Sequence, residues 1–137
     1  MSASGVGPFE NDGAGDLCYA LREVGCEGAL DVLRSAFTTV GQLAAGEYLE
    51  KDYAEEAVAA AAVILARIQG DTEVLEFNGL DGLVPEIDRD MPGMAILALR
   101  RTLATDSEIY ELWVDGGRGE EWRAGVESII SSLENEA

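Results

Sequence analysis

Apolar residues recur along this chain at helical spacing, and no window sustains the period-two alternation of a half-buried strand. Leu17, Leu21 and Val24 fall at i, i+4, i+7 after Asn11 or Asp12, either of which can cap a helix. Phe9, just before that cap, is placed to staple against the first turn, and Gly25 is read as the stop. A second pattern runs from about Glu27 to Val40, with Leu30, Leu33, Phe37 and Val40 in one stripe. The third is the strongest. Asp52 and Glu55 have capping-box-like spacing, Ala54 to Gln69 are nearly all good helix formers, and Gly70 ends the run. Val58, Ala61, Leu65 and Ile68 form its face, and Ala62 and Ile64 broaden it until little of the girth is polar. Such a helix belongs in the middle of a core, where its alanines let neighbours approach closely.

Residues 71–93 are more broken. Val74, Leu75 and Phe77 suit one helical turn; Asn78-Gly79 and Asp81-Gly82 are turn signals; Leu83 to Pro85 reads as extended. Asp90 and Pro92 open a helix carrying Ile96, Leu99 and Leu103. Thr105 or Asp106 caps a short helix with Ile109, Leu112 and Trp113, and a Gly-rich loop leads to a last helix. There Trp122, Val126, Ile129, Ile130 and Leu133 make a regular stripe. The expected fold is all-α: a single compact, irregular or orthogonal bundle of about five to seven helices, one helical domain over residues 1–137.

Composition changes what such a bundle can do. The 137 residues hold 27 Asp+Glu, 9 Lys+Arg, no His and 2 Cys, for a net charge of −18, and 47% are hydrophobic. That apolar share supplies a core, so the charge does not imply disorder. It does oppose direct binding to nucleic-acid phosphates or to anionic membranes. Without His the commonest general base is missing, and with it the usual serine triad and any His-ligated metal site. Cys18 and Cys26 are expected as reduced thiols, and Cys18 has no imidazole to activate it. Met1 to Gly7 lacks a basic and apolar secretory start. The longest apolar run, Ala57 to Ala66, is too short to span a bilayer, so a cytoplasmic location is expected.

The string Gly5-Val6-Gly7-Pro8-Phe9-Glu10-Asn11-Asp12-Gly13-Ala14-Gly15-Asp16 resembles the opening of an uncharacterised bacterial family, domain of unknown function 4259. Its members typically begin Met-Gly-Ala-Trp-Gly and continue Gly-Pro-Phe-Glu-Asn-Asp-x-Ala-x-Asp. Ser107-Glu108-Ile109-Tyr110-Glu111-Leu112-Trp113 and Trp122 fit towards the other end; Ser2 and Ser4 stand where the family usually has Gly and Trp. The resemblance implies a small bacterial domain and carries no mechanism.

Glu10, Asn11, Asp12 and Asp16 are the most concentrated polar feature of that string. They can cap a helix and complement its dipole, receive a basic group from a partner, or hold a hard cation through oxygen. Glu86, Asp88 and Asp90 alternate like the start of a calcium loop. Met91 and Leu97 stand where that loop needs Gly and a bidentate Glu, so a solvated acidic loop with Asp90 as cap is expected. Gly116-Gly117-Arg118-Gly119 has the look of an anion nest but follows no strand and lacks the Lys-Ser/Thr ending of a phosphate loop; a helix connection between Trp anchors is the plainer reading. Arg118 and Arg123 have Glu120, Glu121 and Glu127 near enough in sequence to pair with. With catalytic residue types scarce, the expected function is a non-enzymatic acidic protein-binding module, inhibitor- or immunity-like, facing a basic protein partner. The alternatives are a nucleic-acid mimic, or a carboxylate-based metal binder or enzyme built on Glu10, Asp12 and Asp16. No cofactor is expected.

Overall fold

The computed structural model describes residues 7–43, 47–104 and 108–136. Among these residues there are six helices and no strand: α1 (Asp12–Gly41), α2 (Lys51–Gln69), α3 (Thr72–Phe77), α4 (Met91–Thr102), α5 (Glu108–Asp115) and α6 (Gly119–Glu136). The all-α expectation holds.

α2 is the axis of the packing. It touches each of the other five helices, and α1, α4 and α6 also meet in the pairs α1–α4 and α4–α6. Its residues Ala57 to Ile64 are buried without a break, and all of them but Ile64 are alanine or valine. The low side-chain volume lets backbones come close on all sides. Gly70 closes the helix in the left-handed conformation. Around this axis Leu17, Leu21, Leu33, Phe37 and Val40 of α1, Leu99 of α4 and Trp122, Val126, Ile130 and Leu133 of α6 form one continuous apolar cluster.

α1 is helical on both sides of Gly25, where φ is 66° and ψ −168°. The expected stop is therefore a sharp bend, and the two stripes read from the sequence are its two arms. A straight helix would hold Asp16 and Thr39 about 35 Å apart at 1.5 Å per residue. Here residues of both arms line one groove. Val24, expected on the inner stripe, is 45% exposed because the bend turns the end of the first arm away from the core.

One expected cap is corrected, and another keeps its place without its side-chain bond. The N-cap of α2 is Glu50, with no side-chain cap bond; Asp52 is exposed, and Glu55 turns inward instead of back to the helix start. Asp90 is the N-cap of α4 but makes no side-chain cap bond. Its carboxylate, with that of Asp88, is held by Arg34 of α1, at 2.6 Å and 2.8 Å. This hydrogen bond holds the Asp90 carboxyl below the usual range. The acidic loop is thus strapped to α1 by one guanidinium, an ion pair between residues more than fifty positions apart that helical periodicity does not reveal. The expected Thr105 or Asp106 cap and the Ser2 and Ser4 departures lie outside the described residues.

At the far end, Trp113 and Trp122 are buried as expected, with Tyr110 edge-on to Trp122. Arg118 pairs with Glu121 and lies over the Trp113 ring. Arg123 instead donates to the Leu103 carbonyl and lies over Tyr110.

Candidate functional site

The four residues singled out in the N-terminal string do not gather at one point. Asn11 is committed to the fold: its side-chain oxygen accepts from the Ala14 backbone N–H at 2.8 Å, capping α1. Asp12 is exposed in the first turn, where a carboxylate suits the positive end of the helix dipole. Glu10 lies outside the helix, on a groove beside Phe9 and Phe77. Asp16 faces a different groove, between α1 and α2.

The start of α1 is pressed against α2 at Gly13. A Cβ there would stand 2.5 Å from the Glu55 Cβ and 3.0 Å from the Asp52 carbonyl oxygen, so no larger residue fits this crossing. The Gly13 N–H donates to Glu55 Oε1 at 3.2 Å. Glu55 is 1% exposed, and its Oε2 has no hydrogen-bond partner. Lys51 Nζ is 4.0 Å from Oε1. Burial pushes the Glu55 carboxyl up, against the opposing pull of the Gly13 N–H and Lys51, and Asp52 and Asp12 raise it further. Glu55 was read from sequence as a possible capping partner; its burial follows from the helix crossing, which local spacing does not encode.

The groove that Asp16 faces encloses about 340 Å³. Its floor is apolar, from Leu17, Val32 and Ala36. Its walls carry Asp16 and Asp31 from the two arms of α1, Glu56 and Tyr53 from α2, and the hydroxyls of Ser35 and Thr39. Three carboxylates line it and no cationic side chain does. Glu56 is half-buried, and its carboxyl is raised by burial first and then by the charges of Asp16 and Asp52. Tyr53 is 46% exposed. A guanidinium or ammonium group entering this space would meet acceptors on several sides and relieve the repulsion between carboxylates. Of these residues only Asp16 stood out in sequence. The signal for the others lay in the polar faces: Asp31, Ser35 and Thr39 are spaced i, i+4, i+8, and Tyr53 and Glu56 are spaced i, i+3.

Among the described residues no group of three or more His, Cys, Asp or Glu is placed to hold a metal ion. Cys18 is buried and Cys26 exposed, both as free thiols, and burial pushes the Cys18 thiol up, away from the reactive thiolate. Among the same residues no helix is long and apolar enough to cross a membrane.

No curated protein and no solved structure matches this chain. One family model does, over residues 2–125, which includes the capped start of α1, the Asp16 groove and the buried Trp pair. The chain belongs to the family described as Domain of unknown function (DUF4259).

Proposed function

We propose that this protein is a non-enzymatic, acidic protein-binding module of the inhibitor or immunity kind, and that the groove between the arms of α1 and α2 receives a basic side chain of its partner. The observation that carries the reading is the lining of that groove: Asp16, Asp31 and Glu56 all border a space for one long side chain, with no cation of the chain's own among the lining residues. The charge of Asp16 opposes ionisation of Glu56 beside it, and a bound guanidinium offsets that opposition. Exposed Tyr53 adds a ring face on which an arginine can stack. The net charge of −18 steers basic surfaces towards the molecule and rejects acidic ones.

Calorimetric titration with a short oligo-arginine peptide tests this. Binding is expected at low ionic strength and is expected to weaken about tenfold or more at high salt, as screening shortens the range of the field. The double variant D31N/E56Q should weaken it similarly at low salt, while E120Q, on the distant start of α6, should not. Absence of binding at low salt, or equal losses in the groove and distal variants, would overturn the reading.

A further inference from the structure

A second surface, where the residues before α1 meet α2, α3 and α6, has a different character. Phe77, at the end of α3, is 89% exposed, and α3 already contributes Leu75 to the core. The Phe77 ring stands at the edge of a groove of about 410 Å³ whose apolar lining is Pro8, Phe9 and Val74. Pro8, Phe9 and Val74 also line an adjoining groove of about 270 Å³, which continues over Leu65 to Ile129. The two form one apolar trough, each part large enough for one bulky side chain. Its rim is acidic: Glu10 and Glu73 border the first part and Asp71 the second.

We propose that this trough docks an amphipathic, Lys/Arg-bearing helical segment of a partner protein, with a large apolar anchor beside Phe77 and its basic residues against Glu10, Glu73 and Asp71. Charge decides the occupant. A second copy of this chain would bring another −18 to an acidic rim, and an anionic lipid surface would be repelled in the same way. A segment with two apolar anchors and a cationic border matches both the trough and its rim. The inference rests on the reading above for the sign of the partner's charge, and adds the shape of what binds.

The test is a titration of the isotopically labelled full chain, followed by amide chemical shifts, with two peptides. One is an amphipathic Leu/Lys helix of about 18 residues with a single Trp. The other is oligolysine of equal charge. The amphipathic peptide should move the amides of Phe9, Val74 and Phe77. F77S and E73K should each weaken it about tenfold, a loss of the size expected when an anchor contact is removed. Because the Phe77 side chain is exposed, the melting temperature of F77S should stay at the wild-type value. Oligolysine should move only the groove of Asp16, Asp31 and Glu56.

Unchanged affinity in F77S, or amphipathic-peptide shifts confined to the Asp16 groove, would overturn the trough proposal while leaving the earlier reading in place. Loss of oligolysine binding with the Phe77 shifts intact would do the reverse. Concentration-dependent dimerisation abolished by F77S would assign the trough to a second copy. Shifts at Phe77 on deleting residues 1–6, without peptide, would assign it to the chain's own start. Either result overturns the proposal.

Discussion

Glu55 sets a pH dependence that runs opposite to that of an ordinary surface carboxylate. It is almost wholly buried, one oxygen accepts from Gly13 and the other has no partner. Burial raises its carboxyl in the folded protein above the value it has in the unfolded chain. The sign follows from proton uptake. Below the unfolded value both states hold the proton and no penalty exists. As pH rises past that value the unfolded chain releases its proton first, so the folded state loses stability until pH passes the raised folded value. E55Q removes the ionisation and keeps an oxygen for the Gly13 N–H. Denaturant melts should show E55Q more stable than the wild type at neutral pH, with the difference closing as pH falls below about 4, the unperturbed range of a glutamate. A variant less stable than wild type at neutral pH would mean that the Lys51 contact outweighs desolvation.

At the scale of elements, the bend in α1 is what makes the acidic groove, because it brings Asp16 and Asp31 to the same space. Gly25 holds a backbone conformation, φ 66° and ψ −168°, that is essentially closed to residues with a Cβ. A Cβ at Gly25 would meet nothing within 4 Å, so the cost of G25A is conformational and not steric. That substitution should destabilise the protein by about 1–3 kcal/mol, measured by urea denaturation, and should weaken basic-peptide binding as the arms shift. The helices and some of their ends were legible here because caps and glycines act through neighbours in sequence. Asn11 caps α1 and Gly70 ends α2 where local spacing puts them. What escaped was set by contacts across the bundle. Val24 continues its stripe on paper but is turned outward by the bend. Asp90 sits at a helix start, yet Arg34 is a stronger partner for its carboxylate than the backbone N–H groups. The candidate site was visible only at Asp16, because its other carboxylates lie on separate stretches that no contiguous motif joins.

For the whole molecule, self-repulsion is the term that composition makes visible and no single contact reveals. The chain carries 27 acidic and 9 basic side chains, and folding concentrates them into a small volume. Added salt acts on this in two directions. It weakens attractive pairs such as Arg34–Asp88, Arg100–Glu134 and Arg118–Glu121, and it screens the repulsion among the excess carboxylates. Those pairs are exposed, and such pairs contribute little each. The repulsion is summed over every uncompensated charge and reaches across distances comparable with the Debye length of about 10 Å at 0.1 M. Screening of repulsion should therefore win. The melting temperature should rise by several degrees between about 10 mM and 300 mM NaCl, since about 1 kcal/mol moves it by roughly 2–8 °C in domains of this size. Choline chloride at equal ionic strength should give the same rise, because screening depends on charge and not on whether the cation can be coordinated. A much larger rise with NaCl would instead mean that sodium occupies a site among the carboxylates, and a fall with both salts would mean that the attractive pairs govern stability after all.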